Sequence, residues 1–304
     1  MTVKRFLLKT LLLVLIPVMI ANFVMLSGKN QHSMFSHEKN VIIAYNRLQA
    51  LKDTNKIVII AGSNGGFSIN SRLISQAFHM PVVNTSTHAG IGVRMQFEMY
   101  KELLREGDVV VFCPEYGSQP SRLYGETSLL RILSTHCPSM YKKISLKQWY
   151  HVYKYFGEKH SEDVKSVNAK AFTGPYSVDA LNEFGDIEWE RPHQDSIKPY
   201  DLEGKMDKEL IAYYKYIHTY SEENGITLLF LPPTFIKSSY KKNAYQIDSV
   251  ADCLNRNDIP YQASTSRYSF PDTLYFDTPY HMTQEGANLR TELMIEDMRR
   301  ILRQ

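Results

Sequence analysis

Two short stretches of this 304-residue chain carry the residue types of nucleophilic catalysis, Gly62-Ser63-Asn64-Gly65-Gly66 and Asp277-Thr278-Pro279-Tyr280-His281. A serine hydroxyl becomes a nucleophile when a histidine can take its proton and donors can hold the oxyanion that forms. Ser63 is the candidate nucleophile and His281 the candidate base. Asp277, four residues before His281, is the acid that would orient the imidazole. Asn64 could donate its side-chain amide to an oxyanion, and His88 stands on a loop near enough to contact a substrate. Glu115 and Tyr116 end a third apolar run and would line the same crevice.

Each residue also has a plainer reading. Ser63 could cap the following helix, His281 could fix the tail loop, Asp277 could be a turn residue before a helix, and His88 and Glu115 could be solvated. The cluster from Gly62 to Gly66 could also cradle a phosphate at a helix N-terminus. Neither G-x-G-x-x-G nor G-x-x-x-x-G-K-[ST] is present, which weakens that reading.

The elements that must position these residues alternate. A β-branched run, Ile57 to Ala61, reads as a buried strand ending at Gly62-Ser63. Helical spacing follows at Ser71 to Phe78, then a short strand at Pro81 to Thr85 and a helix from Arg94 to Arg105. Asp108 to Cys113 is the third strand, apolar after its first residue. Past an irregular, aromatic-rich insertion at about 118–204, a helix over Met206 to Glu223 leads to a fourth strand, Ile226 to Leu231. A helix at Ala244 to Asn255, a weak fifth strand at Pro260 to Ala263 and a last helix from Thr283 to Leu302 complete the pattern. Strands alternating with helices predict an α/β fold, a three-layer α/β/α flavodoxin-like domain with a mainly parallel sheet. In such sheets ligands bind outside the carboxyl ends of the strands, where Ser63 falls. The aromatic stripe from Trp149 to Phe156 reads as core of the insertion, with a sugar platform as the other reading.

The N-terminus differs in composition. After Lys4 and Arg5, residues 6–26 carry one charge, Lys9, and predict one N-terminal transmembrane helix that acts as an uncleaved signal anchor. The preceding positive charge would hold the N-terminus in the cytoplasm and put the rest outside a plasma or inner membrane, single-pass. The expected organisation is therefore 1–27 tip and anchor, 28–55 stalk and leading helix (Asn40 to Leu51), and 56–304 α/β domain. A net charge of +3 with no basic stripe excludes nucleic acid as an expected partner. Three cysteines without metal-ligand spacing predict no metal, no cofactor and at most one disulfide.

Gly62-Ser63 after the first strand, Gly90 after the second and Asp277/His281 before the C-terminal helix resemble the SGNH/GDSL hydrolase superfamily. With the expected anchor, the tail Phe276-Asp277-Thr278-Pro279-Tyr280-His281-Met282-Thr283-Gln284-Glu285-Gly286-Ala287 is similar to membrane-tethered members associated with cell-surface polysaccharide or teichoic acid modification. The resemblance implies Ser63 as nucleophile, His281 as base, Asp277 as acid and oxyanion donors from the Ser63 N–H and the Gly90 loop. It also implies an extracytoplasmic serine esterase or O-acyltransferase acting on an acylated glycan or cell-envelope polymer, beside other polysaccharide-modification proteins. The alternative is a non-catalytic binding or assembly protein of the same fold. Two positions depart from the family pattern. The acid usually lies three residues before the histidine, and Pro114-Glu115-Tyr116-Gly117 replaces the usual Gly-x-Asn-Asp.

Overall fold

The computed structural model describes residues 3–27, 36–117, 120–166, 172–202 and 205–303. In chain order its elements begin with α1 (Val3–Ser27), α2 (Asn40–Ala50), β1 (Ile57–Ala61), α3 (Ser63–Ser68), α4 (Ser71–Phe78), β2 (Val82–Asn84), α5 (Val93–Glu98) and β3 (Val109–Cys113). The middle of the chain holds α6 (Pro120–Tyr124), α7 (Thr127–Thr135), α8 (Leu146–Tyr153), α9 (Phe156–Ser166) and α10 (Lys208–Glu223). The remainder is β4 (Thr227–Phe230), β5 (Phe235–Ile236), α11 (Lys237–Lys242), α12 (Ala244–Asn255), β6 (Ser269–Phe270) and α13 (Gln284–Leu302).

The fold is mixed α/β. Four strands run parallel in the order β2-β1-β3-β4, and β5 and β6 form a separate parallel pair. Strand side chains alternate between faces. Val58, Ile60, Val110 and Phe112 join Val41 and Leu48 of α2, Phe97 of α5 and Ile217 of α10. Ile57, Ile59, Val109 and Val111 join Ile74 of α4 and Met294 and Met298 of α13. Both faces of β1 and β3 are thus covered, which is why these strands read as unbroken apolar runs. Where they start, the fully buried Lys56 Nζ donates to Asp108 Oδ2 at 2.7 Å, and Asp108 also accepts from the Lys56 and Arg105 N–H groups.

The expected transmembrane helix is corrected by the structure. Among the described residues no helix is long and apolar enough to cross a membrane. The described side chains of α1, residues 3–20, include Lys4, Arg5 and Lys9. The membrane anchor, the single-pass localisation with an extracytoplasmic body and the membrane as partner fall with it.

Two smaller expectations also change. The helix expected to reach Arg105 stops at Glu98, and a 3₁₀ turn at Lys101–Leu103 replaces its second half. Buried Tyr100 turns inward there, its hydroxyl 3.3 Å from the Val41 carbonyl. Residues 260–263 form no strand. Instead Gln262 lies against the outer edge of β4, its side chain accepting from Phe230 N at 2.9 Å and its N–H donating to Phe230 O at 3.0 Å. No disulfide forms, since Cys113, Cys137 and Cys253 are all free.

Candidate active site

Ser63 is the first residue of α3, and Gly62 is the N-cap in extended backbone. Ser63 therefore does not cap the helix. Close approach explains the neighbouring glycines. A Cβ on Gly62 would lie 2.7 Å from Glu115 Oε1 and 2.9 Å from the Ala89 Cβ, and one on Gly65 would collide with the Ser86 side chain. Both contacts press the start of α3 against the loops that follow β2 and β3.

The Ser63 hydroxyl donates to Glu115 Oε1 at 3.0 Å, and the Asn64 N–H donates to the same oxygen at 3.1 Å. The other Glu115 oxygen is 3.5 Å from Arg122 Nη1. The Asn64 side chain points away from this cluster. It donates to the Cys113 carbonyl at 3.2 Å, while Arg290 of α13 holds its Oδ1 at 3.2 Å and its main-chain carbonyl at 2.8 Å. The side-chain oxyanion donor expected at Asn64 is thus spent on joining α3 to β3 and α13.

His281 and Asp277 share a closed loop. Phe276 N–H donates to the His281 carbonyl at 2.8 Å, and Tyr275 bridges Met282 in antiparallel fashion. This closure brings a carboxylate four residues away onto the imidazole, with Asp277 Oδ1 2.9 Å from His281 Nδ1. Tyr176 OH donates to Asp277 Oδ2 at 2.6 Å and lies 3.0 Å from the same ring nitrogen. A carboxylate only accepts, so Nδ1 carries the ring proton and Nε2 is left with its lone pair. Burial pushes the Asp277 carboxyl up, but hydrogen bonding to His281, its charge and the Tyr176 hydroxyl outweigh this and leave it below its ordinary value. Burial first and Asp277 second push the Tyr176 phenol far up, which keeps it a donor.

The imidazole is fixed in orientation as well. Phe67 of α3 stacks on it, centroids 4.0 Å apart at 11°. Ser68, also of α3, donates its hydroxyl to Tyr280 O at 2.8 Å and accepts from Met282 N at 3.1 Å, holding both chain neighbours of His281. One helix therefore carries Ser63 at its start and positions His281 with its last turn.

Ser63, His281, Glu115, Arg122, Tyr176 and Tyr200 line one cavity of about 510 Å³, with His88 and Gly90 on its wall. No hydrogen bond joins Ser63 to His281 among the described residues, because the serine proton is directed to Glu115.

Other expected site residues fall into different roles. The Gly90 N–H donates to His88 Nδ1 at 3.0 Å, so its role in this structure is holding the loop rather than holding an oxyanion. His88 is half-buried on the cavity wall rather than fully solvated. Burial, then Arg131, His281 and Arg122, push its imidazole down to about 3, and its neutral ring accepts from Gly90 and contacts the Ser128 hydroxyl at 3.1 Å. Tyr116 does not line the cavity but packs against Phe235 and Tyr280. In the insertion, Trp149 stacks on Tyr141 beside the core, while Tyr150 and Tyr153 are exposed. Among the described residues no group of three or more His, Cys, Asp or Glu is arranged to hold a metal ion.

Sequence reasoning missed Tyr176, Arg122, Phe67, Ser68 and Arg290. Tyr176 and Arg122 lie in the insertion, where no periodicity marks them. Phe67 could have been read from its place about one helical turn after Ser63.

No protein-family model matches the chain, and no curated protein or solved structure matches it. The likeness to the SGNH/GDSL superfamily is corrected accordingly, because short motifs such as Gly62-Ser63 and Asp277/His281 recur on unrelated folds. With it go the envelope glycan, the polysaccharide-modification partners and the anchored esterase, acyltransferase or assembly protein that it implied.

Proposed function

We propose that the cavity is a centre for nucleophilic acyl transfer to water, with Ser63 as nucleophile and His281 as general base. One observation carries the reading. The His281 imidazole is fixed through Nδ1 by Asp277 and Tyr176 and lines the same cavity as Ser63, with Nε2 left to accept a proton. A base oriented by a third group beside a hydroxyl is the arrangement that covalent catalysis requires, and apo geometry is often looser than the reacting one.

In the reaction Ser63 Oγ bonds to the carbonyl carbon of a carboxylic ester as its proton passes to His281 Nε2. The carbonyl π pair moves onto oxygen, toward the Ser63 N–H at the start of α3. The tetrahedral intermediate then reforms its C=O and expels the alkoxide, which takes the proton from His281. Water, deprotonated by the same imidazole, attacks the acyl-serine and releases the acid, restoring Ser63. Asp277 stays ionised and stabilises the imidazolium. The proposal assigns no membrane and no glycan to the protein.

The test is hydrolysis of a small aryl acetate by the full-length chain. Ser63→Ala and His281→Ala are expected to abolish turnover above background. Equal rates for wild type and Ser63→Ala would reject the reading.

A further inference from the structure

The Glu115 carboxylate occupies the place that a reacting oxyanion would need. Its Oε1 accepts both the Ser63 hydroxyl and the Asn64 N–H, which are the nucleophile and the backbone donor next to it. A tetrahedral intermediate on Ser63 would put its negative oxygen toward that donor. Two anionic oxygens cannot share it without repulsion. The same contact directs the serine proton to a carboxylate rather than to His281, and a carboxylate is a poor base for an alcohol when an imidazole is at hand.

Glu115 also has somewhere to go. Its second oxygen is 3.5 Å from Arg122 Nη1, beyond the usual length of a charge-assisted bond, and Arg122 Nη2 makes an equally long contact to Tyr200 OH. Arg122 is therefore held loosely on the cavity wall, where it can take the carboxylate fully. The Gly62 position requires no side chain there, since a Cβ would meet Glu115 Oε1 at 2.7 Å.

We propose that Glu115 is a latch. In the structure as it stands it holds the Ser63 hydroxyl and covers the Asn64 N–H. When it swings onto Arg122, Ser63 is released to His281 and the donor is uncovered. Glu115 is thus a positioning residue that restrains the nucleophile. The inference rests on the acyl-transfer reading given above.

The experiment measures the second-order rate at which a neutral alkyl fluorophosphonate labels the full-length protein, with the modified residue identified by peptide mass spectrometry. Labelling forms an Oγ–P bond and expels fluoride, so it reports Ser63 reactivity directly. Glu115→Ala removes the latch. Glu115→Asp keeps the charge beside Arg122 but shortens the reach by one methylene, which separates a steric latch from a simple charge effect. Both variants are expected to label at Ser63 faster than wild type, by up to about 10²–10³-fold, the scale on which one oxyanion donor acts. If Glu115→Ala does not fold, Glu115→Asp decides alone.

Unchanged or slower labelling overturns the latch, and slower labelling would make Glu115 a promoter of the serine. In either case, wild-type labelling at Ser63 that is lost in His281→Ala leaves the acyl-transfer reading standing. Absence of labelling in wild type and in both Glu115 variants overturns the two together.

Discussion

Arg290 Nη1 donates to the Asn64 carbonyl at 2.8 Å across 226 residues of sequence, and both side chains are fully buried. Arg290 also reaches Asn64 Oδ1 and the Ser68 carbonyl, so one guanidinium of α13 grips both ends of α3. Arg290→Met is expected to leave these acceptors without donors in a dry interior and to lower stability by about 2–4 kcal/mol. Urea unfolding followed by far-UV circular dichroism measures the shift. A change below about 0.5 kcal/mol would show that the acceptors find other donors.

Ser68 joins α3 to the His281 loop by two hydrogen bonds. Ser68→Ala should cost about 1–2 kcal/mol in stability. If the bonds also aim the imidazole, the variant lowers kcat for an aryl acetate while KM stays near the wild-type value. A fall in stability with kcat unchanged would confine Ser68 to a structural role.

Asp277 and Tyr176 meet the same ring nitrogen. Asp277→Asn can present its amide N–H to Nδ1 and so place the ring proton on Nε2, the wrong tautomer for a base. A loss of about 10²–10⁴ in kcat is expected. Tyr176→Phe keeps the carboxylate, and its loss should be much smaller, about tenfold. Reversal of this order would make the tyrosine the principal orienting group.

His88 makes stability depend on pH. Its folded value of about 3 lies below the ordinary 6.5. Between these values the unfolded chain binds a proton that the native ring refuses, so stability rises with pH across this window. The contribution is fully present above about pH 6.5 and is lost as pH falls toward 3, at about 1.4 kcal/mol per pH unit. His88→Asn keeps an acceptor for the Gly90 N–H without the titration. Urea midpoints between pH 7 and 5 should therefore fall less steeply in the variant, by an amount that corresponds to about one proton. Parallel profiles would refute the assignment.

The strands were legible where burial on two faces left one kind of residue available. Ile57 to Ala61 is β1 as it reads, and Val109–Cys113 lies within the run that begins at Asp108. Pro260 to Ala263 misled because an edge can be closed by a side chain. Gln262 does this with an amide that has the same donor and acceptor as a peptide group. At the site, Ser63, His281 and Asp277 could be picked out by type, but spacing along the chain could not show that a closed loop compensates for the extra residue between acid and histidine. Nor could it show where Glu115 points. That depends on the register of β1 against β3, which pairs Ala61 with Cys113 and so sets the residues after each strand side by side. Tyr176 was invisible because an irregular segment has no period from which to infer a direction.

The amide of Gln262 has one more consequence. With Phe230 and Leu228 already bonded to it, β4 offers little of its ladder to another chain, and at the opposite margin the Asn84 N–H is taken by the Phe184 carbonyl at 2.8 Å. Short margins closed in this way resist templated growth of the sheet. Growth of the four-stranded sheet from either margin is thereby disfavoured, and a Gln262→Val chain would be the one to watch for thioflavin-positive fibres.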